Sequence, residues 1–149
     1  MKIENREHLA RVNKQIKELI GVYRDAVKHL DISESEFWVW YTLVAMDGDH
    51  TQQDICAMWS LPKQTVNTII SQLKRKRYAY LEAVPGRRRN KIIYLTEAGK
   101  QFGEELVRPI SSAENRVFEK FPIEQLNLVN NAFAQYIEAI RQEFCGRTN

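Results

Sequence analysis

The chain has 149 residues, 44% hydrophobic and 28% charged, with six Gly and four Pro. That suffices for one domain with a real core, excludes a disordered chain, and favours long helices over a strand-rich fold. The formal charge of +3 conceals a segregation: residues 63–91 carry nine Lys and Arg against the single carboxylate of Glu82, while the remainder has thirteen basic and eighteen acidic side chains.

In chain order, Leu9, Val12, Ile16, Leu19, Ile20, Tyr23, Val27 and Leu30 recur at three- and four-residue steps and predict one long helix over about residues 4–30. Seven turns are too many for a small core to cover, so part of this stripe is expected to meet another chain. Asp31-Ile32 breaks the pattern. Ser33 with Glu36 forms a capping-box signature that opens a second helix to about Ala45. Phe37, Trp38, Trp40, Tyr41, Leu43 and Val44 make it apolar on most sides, the central helix of the core. The longest apolar run, Phe37 to Met46, is about half of what a bilayer span needs, and Met1 to Glu7 lacks an apolar signal core. No membrane association and a cytoplasmic location are expected.

After the turn Asp47-Gly48-Asp49-His50, the Thr51/Asp54 pair starts a short helix from Gln52 to about Trp59. Ser60-Leu61-Pro62 is a turn, with Pro62 placed in the first turn of the next helix, where its missing N–H has no partner to lose. That helix runs to about Lys76. It buries Val66, Ile69, Ile70 and Leu73, leaving Lys63, Gln64, Asn67, Thr68 and Ser71 opposite. Ala79 to Val84 predicts a strand, 85–90 a turn, and Lys91 to Leu95 the returning strand. Thr96 caps a fifth helix whose stripe is Phe102, Leu106, Ile110, Ala113 and Val117, with a kink expected at Pro109. Phe121-Pro122 leads into a last helix with the stripe Leu126, Val129, Phe133, Ile137, Ile140 and Phe144.

The order predicts a mostly α fold with a small β-wing, a winged helix-turn-helix. Residues 31–99 form the DNA-binding region, and 1–30 with 100–149 a helical dimerisation region. The terminal stripes lie outside the helix-turn-helix and are buried most economically around a twofold axis, as a homodimer interface.

A helix-turn-helix presents its second helix to the major groove. Lys63, Gln64, Thr65, Asn67, Thr68 and Ser71 are the candidate reading residues: amides bond bidentately to adenine, and a Thr methyl touches the thymine methyl. A merely solvated face is usually rich in both Glu and Lys, and this one has no acid from Lys63 to Arg77. Lys74, Arg75, Lys76 and Arg77 suit the negative end of the helix dipole and a phosphate backbone. Packing explains one or two such cations, not four in a row. Arg87, Arg88 and Arg89 at a hairpin tip repel one another and gain nothing for folding, whereas an Arg on a thin protrusion fits a narrow minor groove. Lys91 extends this wing site.

The segment Leu61-Pro62-Lys63-Gln64-Thr65-Val66-Asn67, and the run from Arg87 through Lys91-Ile92-Ile93-Tyr94-Leu95-Thr96-Glu97-Ala98-Gly99, resemble the MarR-type family of winged helix-turn-helix transcriptional regulators. The helix order resembles the family over nearly the whole chain. The resemblance implies a homodimer built from terminal helices, binding as a transcriptional regulator, a repressor in the first instance, to a short palindromic operator in double-stranded DNA. It also implies release by a small aromatic or organic effector near the junction of the dimer helices and the DNA-binding part, where Tyr23, Trp38 and Tyr41 are candidates. Aromatic stripes are more often plain core. One departure is Arg87, where the family often carries an acid that orients the arginine matching Arg89; this wing is more cationic and less fixed.

Neither Cys56 nor Cys145 has a close partner, so no disulfide is expected. Cys56 reads as a buried inert thiol before a redox sensor. His8, His29 and His50 match no metal spacing, and no cofactor is expected. There is no Gly-rich phosphate loop, nucleophile elbow or metal motif, so an enzyme is not expected. The remaining alternative is a winged-helix protein-interaction module that does not bind DNA.

Overall fold

The computed structural model describes residues 3–145 apart from 85 and 86, and side chains over 5–83 and 91–145. Six helices and one two-stranded sheet follow in the predicted order. They are α1 (Ile3–Val27), α2 (Glu34–Ala45), α3 (Gln52–Trp59), α4 (Lys63–Arg75), β1 (Ala79–Val84), β2 (Arg87–Leu95), α5 (Glu97–Phe118) and α6 (Ile123–Cys145). A 3-10 turn, Lys28–Leu30, follows α1, and Asp31 ends it in the left-handed region at φ 58°. Two compact units divide the chain, residues 1–110 and 111–149.

The first unit contains the core. α2 lies at its centre, with Phe37, Val39, Trp40 and Thr42 all fully buried. α4 contributes Val66, Ile69, Ile70 and Leu73, the stripe its periodicity predicts, and α3 contributes Ile55. Local chemistry sets the helix starts. The Ser33 hydroxyl accepts from the Glu36 N–H at 3.1 Å, although only this half of the predicted box forms. At Thr51 both halves form: Thr51 Oγ1 accepts from the Asp54 N–H, and the Asp54 carboxylate accepts from the Thr51 N–H at 2.8 Å.

Pro62 is the N-cap of α4, with extended backbone (ψ 137°), rather than a residue of its first turn. Its carbonyl accepts the first helical bond, from Val66 N at 3.2 Å, which leaves its ring outside the helix where it displaces no hydrogen bond.

β1 and β2 are antiparallel from Ala79↔Leu95 to Ala83↔Lys91. The register then slips, and Val84 pairs with Arg87 where regular pairing would bring Asn90. The second strand therefore begins at Arg87, not at Lys91. The predicted turn over 85–90 is corrected accordingly; Pro85 and Gly86 lie outside the described residues. At its base the wing is fastened to the segment before α3: Ile93 N donates to the His50 carbonyl at 2.9 Å, Thr51 bridges Ile92, and the Tyr94 hydroxyl donates to Asp49 at 3.3 Å. Partial burial, then the Asp49 carboxylate, push the Tyr94 phenol above its ordinary pKa.

α5 departs most from expectation. Its buried residues are Gly99, Gly103, Val107 and Ile110. Phe102 is 36% and Val117 49% exposed. The helix lies so close to the rest of the unit that a Cβ at Gly99 would overlap the Tyr78 carbonyl, and one at Gly103 would come within 2.7 Å of Trp40 and Val44. Of the predicted stripe, Ile110 is buried and Leu106 half-buried against the core, and Gly99, Gly103 and Val107 complete the contact face in place of Phe102 and Val117. Phe102 still stacks on Tyr78, with centroids 4.9 Å apart.

In the second unit, α6 has no buried residue. Val129, Phe133, Ile137 and Phe144 of its predicted stripe are all exposed, and Leu126 and Ile140 half-buried. Among the described residues no helix is long and apolar enough to cross a membrane.

Candidate nucleic-acid interface

α4 is strongly amphipathic because its four apolar positions fall on one face. Lys63, Gln64, Asn67, Thr68 and Ser71 are exposed on the other, and Thr65 is half-buried at its flank. The Thr68 hydroxyl donates back to the Gln64 carbonyl at 2.9 Å, which engages its proton within the helix. The side chains of Lys63, Gln64 and Asn67 have no hydrogen bond or ion pair among the described residues. Beside them, Gln52 at the first position of α3 completes an open hollow of about 610 Å³ with Lys63, Gln64 and Asn67. A second hollow of about 540 Å³ lies on the flank, where Thr65, Thr68 and Gln72 face Ser33 and Ser35 of the α2 start. Sequence analysis missed Gln52. The Thr51–Asp54 cap signature places it at a helix start, but not beside α4.

Lys74 and Arg75 close the last turn of α4, Lys76 is its C-cap, and Arg77 follows in the left-handed region at φ 59°. All four are exposed. The turn is pinned on its inner side: Tyr78 N donates to the Leu73 carbonyl at 2.9 Å, and the Thr96 hydroxyl donates to the Arg77 carbonyl at 2.9 Å. Thr96 Oγ1 also accepts from Gly99 N at 3.1 Å, so one side chain caps α5 and fastens it to the end of α4. Lys91 is exposed opposite Ala83. Arg87, Arg88 and Arg89 lie in the β2 backbone, and their side chains fall outside the described ones.

The candidate effector residues belong to an aromatic cluster of α1, α2 and α3. Trp38 stacks on Trp59 at 4.2 Å between centroids, with Tyr23 at 5.3 Å and Tyr41 at 5.6 Å from Trp38. Phe37 completes the group. Tyr23, Trp38 and Tyr41 are each half-buried. Thr42 ties the cluster together: its hydroxyl donates to the Trp38 carbonyl at 2.8 Å and accepts from Trp59 Nε1 at 2.7 Å. Cys56 is half-buried against the core and Cys145 exposed. No group of His, Cys, Asp and Glu suited to a metal occurs among the described residues.

A sequence model of the MarR family matches residues 30–90, which span the core helix, the helix-turn-helix and the start of the wing. The structure of NMB1585, a MarR family regulator from Neisseria meningitidis, is similar over 95% of this chain and 99% of its own, with 25% identity and a TM-score of 0.83.

The fold is that of MarR family regulators.

Two further proteins share the MarR-type fold at lower identity. MepR of S. aureus, in its DNA-binding conformation, has a TM-score of 0.68 at 17% identity, over 89% of this chain and 98% of its own. In complex with DNA it aligns with a TM-score of 0.58 at 18% identity, over 89% and 97%. NadR in complex with 4-hydroxyphenylacetate has a TM-score of 0.66 at 16% identity, over 85% and 89%. No curated protein is significantly similar to this chain.

Proposed function

We propose that the chain is a homodimeric, sequence-specific DNA-binding transcriptional regulator, a repressor, that holds two copies of α4 in successive major grooves of a palindromic operator. The observation that carries this reading is the outer face of α4. Lys63, Gln64, Asn67 and Ser71 are exposed with no side-chain partner among the described residues, the face bears no carboxylate, and it ends in four consecutive cations. Such a face complements base edges flanked by phosphates. The MepR–DNA complex supports it by likeness of fold. In this reading Lys63, Gln64, Thr65, Asn67, Thr68 and Ser71 face bases, Lys74, Arg75, Lys76 and Arg77 phosphates, and Arg87, Arg88, Arg89 and Lys91 the flanking minor groove.

The same reading gives the aromatic cluster a regulatory role. A planar organic effector taken up beside Tyr23, Trp38 and Tyr41 would bind one spacing of the two reading heads better than another and so shift operator occupancy. NadR with bound 4-hydroxyphenylacetate supports an aromatic acid as the class to try first.

Duplex binding at two salt concentrations, with selected and random sequences, tests the proposal. Wild type is expected to bind with a steep salt dependence. Asn67→Ala is expected to relax discrimination at one base pair by about 1–3 kcal/mol, and Arg89→Ala to weaken all sequences by a common factor. A protein that binds no duplex at low salt would instead be a protein-interaction module.

A further inference from the structure

The hollow in front of α4 contains one residue that the helix-turn-helix pattern does not assign to reading. Gln52 belongs to α3, the first helix of the motif, which ordinarily crosses the sugar–phosphate backbone while the second helix meets the bases. Here Gln52 shares a space of about 610 Å³ with Lys63, Gln64 and Asn67. Three of the four lining side chains are carboxamides and none is a carboxylate. Among the described residues no hydrogen bond engages any of the four side chains.

The chemistry of that lining is selective. A phosphate only accepts hydrogen bonds, so it would use the donors of three amides and leave their carbonyls idle. A base-pair edge in the major groove presents donors and acceptors together, and a carboxamide matches the N7 acceptor and N6–H₂ donor of adenine in a bidentate pair. The position of Gln52 is also fixed. Thr51 before it is held by the full capping box with Asp54 and by its bridge to Ile92 of the wing. The amide therefore projects from a backbone braced on two sides, as a specificity contact requires.

We propose that the hollow receives the major-groove edge of an adenine-containing base pair, and that Gln52 is a specificity-determining residue acting with Gln64 and Asn67. This rests on the DNA-binding reading above. The two are separable with one experiment: selection of bound fragments from a random-sequence duplex pool, with wild type, Gln52→Ala and Gln52→Glu in parallel, followed by affinity measurements on the selected duplex and on its single-base variants.

The wild type is expected to select a defined sequence. Gln52→Ala should lose about tenfold in discrimination at one A·T position while binding unselected duplex unchanged. Gln52→Glu keeps an acceptor and loses the donor, so its preference at that position should move to the cytosine N4 amino group. Gln52 is only part-buried at a helix start, so both variants should unfold like wild type, which far-UV circular dichroism checks. If wild type selects a sequence and both variants select the same one, or lose affinity for all duplexes by a common factor, Gln52 is at most a backbone contact and the inference fails alone. If wild type selects nothing, the DNA-binding reading fails and this one with it.

Discussion

Arg77 occupies the left-handed region at φ 59°, a conformation that costs a residue with a Cβ about 1–2 kcal/mol and that helix ends usually give to glycine. The turn requires this backbone, because the N–H groups of Arg77 and Tyr78 reach back to Lys74 and Leu73. In the proposed reading the arginine adds a charge to Lys74, Arg75 and Lys76 at a position where glycine would be easier. Arg77→Gly should therefore raise stability by about 0.5–1 kcal/mol, read from chemical denaturation, and lower the salt slope of duplex binding by about one. A variant that gained stability without losing any of the slope would remove Arg77 from the phosphate contacts. Gly99 presents the converse case. No side chain fits against the Tyr78 carbonyl, so Gly99→Ala is expected to cost about 2–4 kcal/mol even though alanine is the better helix former by about 1 kcal/mol. Thermal unfolding measures it.

At the level of elements, the features legible in the sequence were those carried by a local period or a local cap. Val66, Ile69, Ile70 and Leu73 announce the buried face of α4, and Ser33 and Thr51 announce the starts of α2 and α3. What the sequence concealed depends on partners distant along the chain. The buried face of α5 holds Ile110 as its period predicts, but the near approach of its backbone to Tyr78 and Trp40 adds Gly99 and Gly103 and leaves Phe102 at the rim. The slip that pairs Val84 with Arg87 follows from strand pairing, not from composition. Gln52 joins the candidate reading face only because α3 and α4 pack together. The fastening of α2 to α3 was equally hidden. Thr42 is fully buried, and its hydroxyl is the partner of Trp59 Nε1. Thr42→Val keeps the shape but takes its acceptor from the part-buried Trp59 N–H, at a cost of about 1 kcal/mol. Once Trp59→Phe has removed that donor, the same substitution should cost markedly less; a double-mutant cycle with no coupling would mean the hydrogen bond contributes nothing.

At the scale of the whole molecule, α1 and α6 each carry an exposed apolar row. Leu9, Leu19 and Ile20 of α1 are 37%, 58% and 39% exposed, and on α6 Val129, Phe133, Ile137 and Phe144 are 54%, 42%, 49% and 72% exposed. Single exposed apolar side chains are ordinary, but periodic rows along whole helices are not. A second copy is the economical cover, because a twofold axis lets each row be buried by a row of the same composition and also sets two α4 helices at one fixed separation. Sedimentation at micromolar concentration should therefore give twice the 17.5 kDa of one chain. Phe133→Glu combined with Ile137→Glu, which places two carboxylates in the α6 row, should give monomers whose core helices still unfold cooperatively, since neither side chain is buried within the chain. The functional cost then follows from linkage alone. In a dimer the second head binds its half-site at an effective concentration set by the tether, so separating the heads should lower affinity for a two-half-site duplex by about 10²–10⁴-fold, with affinity for a single half-site nearly unchanged. A wild type that sediments as one chain, or a separated variant that holds the full palindrome as tightly as the parent, would leave the exposed rows to some other partner and the two heads independent.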